Sequence, residues 1–70
     1  MNELELRAEI IRAGLSIPEI SKEVGLNKKT FYEKLTGKTE FKASEIRKIA
    51  NILNLSDEQM ISIFFAKEVA

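Results

Sequence analysis

Residues 16–36 constrain the fold of this chain more than any other stretch, because they predict two short helices joined by a tight turn. Ser16 followed by Glu19 is a capping-box pattern, in which each side chain satisfies a free backbone N–H at a helix start. Gly25 stands where the first helix would end in a left-handed conformation, which glycine adopts without a Cβ penalty. Asn27 can then cap a second helix. We therefore predict two consecutive helices with a connection of only a few residues.

Apolar and polar residues separate on these two helices. Ile20 and Val24 share one face of the first helix, since residues four apart lie one above the other. Phe31 and Leu35 make the inner face of the second helix, with Leu26 packing beneath the turn. The outer face of the second helix then carries Lys28, Lys29, Tyr32, Glu33 and Thr36. A polar second helix of this kind is typical of a helix-turn-helix motif, in which it enters the major groove of DNA.

A first helix precedes this motif. Asn2 followed by Glu5 is a capping box that starts it, and the helix is predicted to run to about Ala13. Its apolar residues form two stripes, so periodicity alone leaves the inner face undecided. We favour the stripe that contains Leu6 and Ile10, with Leu15 buried after the stop at Gly14. The competing stripe contains Leu4, Ala8, Ile11 and Leu15.

Two more helices follow the motif. A polar loop contains Phe41, which we expect to anchor the loop to the core. A fourth helix is predicted from about residue 43 to residue 53, because its apolar residues recur every three or four positions. Ser56 with Gln59 caps a fifth helix, predicted to end near residue 66. Its apolar residues are Met60, Ile61, Ile63, Phe64 and Phe65. That is too much apolar surface for one face, so this helix is either wedged into the fold or meets another subunit.

Length predicts a single domain over residues 1–70. The five helix patterns, with short connections and no strand signal, predict a compact all-α fold. No apolar run approaches the roughly 18 residues that span a bilayer, and the acidic, periodic N-terminus is unlike a signal peptide. We therefore expect a soluble, intracellular protein.

The chain has no cysteine and no histidine, which removes the commonest metal ligands and the commonest general base. No carboxylates or lysines are arranged for catalysis, so we expect no enzyme activity, no metal and no cofactor.

Charge is unevenly distributed, although the net charge is zero. Three basic and five acidic side chains lie in residues 1–26, seven basic and three acidic in 27–48, and one basic and three acidic in 49–70. The middle segment, which includes the second helix of the motif, therefore has a local positive field that attracts phosphate. The alternative is that its lysines simply cluster on a soluble surface. Arg7 and Arg12 in the first helix are expected to be solvated or ion-paired, unless one of them reaches a phosphate.

A wider pattern extends over most of the chain, from about residue 6 to residue 65. Its first part consists of Leu6, Ile10, Gly14, Leu15, Ser16, Glu19, Ile20, Val24, Gly25, Leu26, Thr30, Phe31, Lys34, Leu35, Thr36, Gly37 and Lys38. This order resembles the phage repressor and Cro family of helix-turn-helix proteins. The later Glu40-Phe41 pair and the Ile63-Phe64-Phe65 ending look like small prophage-encoded members. The resemblance implies a lambda-repressor-like five-helix domain, dimeric binding to operator DNA, transcriptional control that is usually repression, and a bacterial cytoplasm.

Three residues depart from the pattern of that family. Ser21 stands where the family usually has alanine, so its hydroxyl needs a hydrogen-bond partner. Ile17 replaces a residue that is often polar and able to bond a phosphate. Lys42 stands where threonine or serine often caps the fourth helix, and a lysine side chain cannot accept a hydrogen bond from a free backbone N–H. We expect the fold to tolerate all three.

The predicted function is sequence-specific binding of double-stranded operator DNA. We expect Lys28 or Lys29 to donate to guanine and Glu33 to accept from cytosine, while Tyr32 contacts either a thymine methyl group or a phosphate. Glu33 has a second interpretation, as an intrahelical partner of Lys29. The predicted phosphate contacts are Ser16, Asn27, Thr36, Lys38 and Lys42.

Useful affinity requires two copies of the reading helix, because one helix reads only a few base pairs and half-sites lie about 34 Å apart. We therefore predict a homodimer through the C-terminal helix, with Phe64 or Phe65 at its interface. Two other classes stay open. One is a protein-interaction module, such as an antitoxin-like or anti-repressor domain with the same fold, and the other is an architectural or recombination accessory protein.

Overall fold

The computed structural model describes residues 1–65. Its helices are α1 (Glu3–Arg12), α2 (Ile17–Val24), α3 (Lys28–Leu35), α4 (Ala43–Ile52) and α5 (Asp57–Phe64). Residues 1–65 contain no β-strand, so the predicted all-α class with five helices is confirmed. The first and fourth helices each end one residue earlier than predicted. The predicted end of the last helix, Ala66, lies outside the described residues.

Side-chain caps fix where four of the helices begin. The residues whose side chains accept a hydrogen bond from the backbone N–H three positions later are Asn2, Ser16, Asn27 and Ser56. The helix α4 is the exception, because Lys42 precedes it and an ammonium group has no lone pair to accept with. Glu45 instead reaches back, and its carboxylate accepts from the backbone N–H of Lys42 at 2.8 Å.

Gly25 sets the short connection between α2 and α3. It ends α2 with φ +90°, the left-handed conformation expected from the sequence. Its N–H donates to the carbonyl of Ser21 at 3.1 Å, and the N–H of Leu26 donates to that same carbonyl at 2.9 Å. These bonds satisfy the end of α2 and bring the chain to Asn27 within two residues, so α3 starts against the helix that precedes it.

The core lies where the five helices meet. Its buried apolar residues are Leu6, Ile10, Ile20, Val24, Phe31, Leu35, Ile49, Leu53 and Ile63. The preference for Leu6 and Ile10 on α1 is confirmed, since Leu4 and Ile11 of the competing stripe are 79% and 74% exposed. Both predicted inner faces of α2 and α3 are buried as well. The outer face of α3 is therefore positioned by a fully packed inner face.

Phe41 joins the loop between α3 and α4 to the core, as predicted. Its ring makes edge contacts with Phe31 and Phe64, at centroid distances of 5.4 and 5.9 Å. On α5, Ile63 is fully buried, whereas Ile61 and Phe65 are 56% and 61% exposed. The last helix is thus wedged into the fold on one side and leaves apolar surface on the other.

Candidate nucleic-acid interface

The helix α3 presents a polar face opposite its buried one. Phe31 and Leu35 point into the core, while Lys28 and Lys29 are exposed and Tyr32 is 45% exposed. Of these three side chains, Tyr32 is partly covered, because the guanidinium of Arg7 lies over its ring. The division into inner and outer faces agrees with the prediction from the sequence.

Lys28 and Lys29 occupy the first turn of α3, and that turn contains no acidic residue. Cations at the N-terminal end of a helix oppose the helix dipole, at a cost of about 0.3–1 kcal/mol each. Asn27 caps the helix through its side-chain oxygen, which accepts from the backbone N–H of Thr30 at 2.7 Å. Asn27 therefore satisfies one of the free N–H groups at the helix start, and the positive end of the helix dipole favours an anion beside it.

Tyr32 is held from the side by Arg7 of α1. The guanidinium of Arg7 lies 5.2 Å from the centre of the Tyr32 ring, and one of its terminal nitrogens donates to the phenol oxygen at 3.2 Å. The Nε of Arg7 donates to the carboxylate of Glu3 at 2.8 Å. The hydrogen bonds with Tyr32 and Glu3 raise the pKa of Arg7 above its usual value, so the group keeps its charge. The expectation that Arg7 is ion-paired is confirmed.

Glu33 lies 3.4 Å from the ammonium of Lys38, which follows α3 in the chain. This pairing differs from the suggested intrahelical pair with Lys29, because the turn at the end of α3 brings Lys38 back toward the helix. The side chain of Lys38 is 74% exposed and that of Glu33 is 32% exposed, so the pair is solvated and exchangeable. Two of the predicted DNA contacts therefore neutralise each other in the free protein.

Three predicted phosphate contacts have part of their hydrogen-bonding capacity already used. The hydroxyl oxygen of Ser16 accepts from a backbone N–H at 3.3 Å, which leaves its proton free to donate. Asn27 uses its oxygen in the cap of α3 and keeps its amide N–H groups. Thr36, however, donates its hydroxyl proton to the backbone carbonyl of Tyr32 at 2.9 Å. Thr36 can therefore reach a phosphate only by giving up that bond.

Lys34 is absent from the basic surface, although it contributes to the positive segment of the sequence. It is only 8% exposed, and its ammonium lies 2.6 Å from the carboxylate of Glu45, which is equally buried. This pair was not predicted from the sequence. The spacing of Lys34 three residues after Phe31 was the available signal, since it puts Lys34 beside the buried face of α3.

The carboxylate of Glu45 is shared between two donors, Lys34 Nζ and the backbone N–H of Lys42. Burial raises the pKa of Glu45, but these two hydrogen bonds and the charge of Lys34 outweigh it and lower the pKa below its usual value. The Glu45 carboxylate therefore stays ionised at neutral pH, and its bond with Lys34 links the end of α3 to the start of α4.

The hydroxyl of Ser21 has the partner that its burial requires. It donates to the backbone carbonyl of Ile17, four residues earlier, at 2.6 Å. In residues 1–65 no buried side-chain nitrogen or oxygen lacks a hydrogen-bond partner. This departure from the family pattern is therefore accommodated within α2 itself.

A shallow groove lies on the side of the molecule formed by α4 and α5. Its larger part has a volume of about 410 Å³, with Phe41, Ile46, Phe64 and Phe65 among its lining residues. A smaller part of about 170 Å³ continues past Ile46 and Phe65 to Met60. Lys34, Thr39 and Glu40 also line the larger part, so this surface is partly polar. It is the second feature of the molecule that suits a partner.

The part of the chain that the structure describes has neither a membrane-spanning helix nor a cluster of metal-binding side chains. None of its helices has both the length and the apolar composition needed to cross a bilayer. The same residues contain no group of three or more histidine, cysteine, aspartate or glutamate side chains placed to hold a metal ion.

No protein-family model, curated protein or solved structure matches this chain.

Proposed function

We propose that this protein is a sequence-specific double-stranded DNA-binding transcriptional regulator of the phage repressor or Cro type, acting in a bacterial cytoplasm. In this proposal α2 and α3 form a lambda-repressor-like helix-turn-helix, and α3 reads the major groove. The observation that carries the proposal is the exposed pair Lys28 and Lys29 at the positive end of α3, opposite the buried Phe31 and Leu35. A duplex phosphate backbone would turn this unfavourable placement into an attraction.

The dimensions of α3 suit this role. Its eight residues span about 12 Å at 1.5 Å per residue, close to the roughly 12 Å width of the major groove. Lys28 and Lys29 lie in the first turn, the end of a recognition helix that contacts base edges. They would donate to guanine, and Glu33 would accept from cytosine once it separates from Lys38.

Backbone contacts would position the protein without reading sequence. Ser16, Asn27 and Lys42 keep donors that are free to meet phosphate oxygens, and all three residues are exposed. Lys38 would also bind a phosphate, and in doing so it would give up its solvated ion pair with Glu33.

A homodimer completes the proposal, because two copies of α3 must read two half-sites. Ile61 and Phe65 lie four residues apart on α5 and at its end, so they share one face. Both are more than half exposed. We place the dimer interface on this face, beside the groove that Phe65 lines.

The competing proposal is a protein-interaction module with the same fold, and the groove between α4 and α5 favours it. The apolar residues of its lining, with Phe65 in both parts, would accept a partner side chain without any use of Lys28 or Lys29. This function predicts binding that does not depend on salt or on DNA.

Selection of bound duplexes from a random DNA pool tests the proposal. We expect enrichment of one sequence with two related half-sites, bound with an affinity that falls steeply as salt rises. Lys28→Ala with Lys29→Ala should abolish the selection. The matched control is Lys22→Ala with Lys48→Ala, which removes the same charge from exposed positions on α2 and α4. Equal losses of enrichment from both pairs of substitutions would show only a general electrostatic attraction to DNA and would exclude Lys28 and Lys29 from base reading. A pool in which the wild-type protein enriches no sequence would overturn the proposal.

A further inference from the structure

Arg7 and Tyr32 form a surface pair at the edge of the outer face of α3. Tyr32 lies four residues after Lys28, so the two side chains share a stripe of the helix. The side chain of Arg7 is 32% exposed and that of Glu3 is 38% exposed. The guanidinium is therefore accessible from the same side as the proposed reading residues.

The direction of the hydrogen bonds defines what this pair can bind. Arginine only donates, so the phenol oxygen of Tyr32 is the acceptor in the 3.2 Å contact with Arg7. The O–H of Tyr32 is then left to donate to a third group. Arg7 uses its Nε toward Glu3, which leaves further N–H groups on the terminal nitrogens. The two side chains together offer donors and a positive charge.

Two donors beside a cation fit an oxygen that carries negative charge, and such an oxygen would share the guanidinium with the Glu3 carboxylate. The exposed carboxylate of Glu3 fixes the guanidinium through Nε and leaves its terminal nitrogens beside the Tyr32 oxygen. A thymine methyl group would gain nothing from either donor.

We infer that Arg7 and Tyr32 together bind one backbone phosphate of the DNA, with Arg7 also holding the Tyr32 ring in position. This inference rests on the proposed function, and it assigns Tyr32 to the phosphate in preference to a base. It also adds α1 to the surface that meets the duplex.

Binding of the wild-type protein and its variants to the duplex selected from the random pool, and to single base-pair variants of that duplex, tests the assignment. Tyr32→Phe should weaken all these duplexes alike by about tenfold, with little change in salt slope because no charge is lost. Arg7→Ala should weaken all of them at least as much and lower the salt slope by about one. The double variant should lose less than the product of the two single losses, because the two side chains act on one phosphate.

Arg12→Ala is the matched control, since Arg12 lies on the same helix, pairs with Glu9 and is 69% exposed. It should leave affinity and salt slope close to those of the wild type. Arg7→Lys supplies a variant that keeps the charge, and it should retain the salt slope but lose affinity because an ammonium lacks the planar donor geometry. Thermal unfolding of each variant checks that the fold persists.

Three outcomes would overturn the assignment while leaving the proposed function intact. They are a Tyr32→Phe effect confined to one base pair, an Arg7→Ala effect no larger than that of Arg12→Ala, and independent losses in the double variant. Failure of the wild-type protein to bind any duplex would overturn the proposed function and this assignment together.

Discussion

The ammonium of Lys34, in the last turn of α3, lies 2.6 Å from the carboxylate of Glu45 in the first turn of α4, and both residues are 8% exposed. The same carboxylate oxygen accepts from the backbone N–H of Lys42. The buried pair therefore supplies one half of a capping box for α4, the half in which the third helical residue accepts from the backbone N–H before the helix. It also fixes where the chain leaves the proposed reading helix.

Removing one partner of this pair should destabilise the protein strongly. Lys34→Met leaves the Glu45 carboxylate buried without its cation, and we expect a loss of about 3 kcal/mol in the free energy of unfolding measured in urea. The double variant Lys34→Met/Glu45→Gln should recover much of that loss, because glutamine still accepts from Lys42 and no charge is left unpaired. The control Lys38→Met, which breaks the solvated pair with Glu33, should change stability by less than about 1 kcal/mol. Equal effects of Lys34→Met and Lys38→Met would contradict the structural role of the buried pair.

The pair should also contribute to acid sensitivity. The pKa of Glu45 is lower in the folded protein than its usual value of 4.5, so the folded state favours the carboxylate. This stability is fully present above about pH 4.5 and is lost as the pH falls through the lower, folded pKa. Thermal unfolding between neutral pH and pH 2 should show a shallower acid dependence for Glu45→Gln than for the wild type. Glu40→Gln, in the exposed loop before α4, serves as the control, and an unchanged slope in Glu45→Gln would argue against this linkage.

Lys38→Ala tests a phosphate contact. It should weaken binding to all duplex sequences alike and reduce the salt slope by about one. Because Lys38 pairs with Glu33 in the free protein, Glu33→Gln measures how much that pair competes with DNA, and it should slightly strengthen binding to duplexes that lack the cytosine which Glu33 is proposed to contact. A loss at one base position only would remove Lys38 from the backbone contacts.

Lys29→Ala tests base recognition at the start of α3. Loss of a donor to guanine should relax the preference at one base pair by about 1–3 kcal/mol, measured with single base-pair variants of the selected duplex. Lys22→Ala on α2 removes the same charge without touching α3 and should leave the preference intact. Unchanged preference in Lys29→Ala would exclude it from the reading residues.

Ile61→Lys tests the proposed dimer face. A charge at this 56% exposed position on α5 should convert the dimer to a monomer in sedimentation and lower operator affinity, while leaving the fold intact. Ile11→Lys is the matched control, since Ile11 is a 74% exposed apolar residue on the outer side of α1. A dimer lost with Ile11→Lys and kept with Ile61→Lys would move the interface to α1. A wild-type protein that stays monomeric on operator DNA would exclude the dimer.

Local chemistry in the sequence determined where the helices lie and which faces of α2 and α3 are buried. The caps at Asn2, Ser16, Asn27 and Ser56 act within three residues, and periodicity acts within one or two turns, so both can be recognised without knowledge of the fold. The burial of Phe31 and the exposure of Tyr32 follow from the same local geometry.

Only the tertiary structure decided which partner each charged side chain contacts. Arg7 meets Tyr32 across 25 positions of the chain, and Lys34 meets Glu45 across 11. Such contacts depend on how the helices pack against one another. From the sequence alone, a charged residue has several possible ion-pair partners, and nothing in the local sequence distinguishes between them. For this reason the sequence predicted a basic face on α3, but the packing of α1 and α4 determined which of its residues remain available to a ligand.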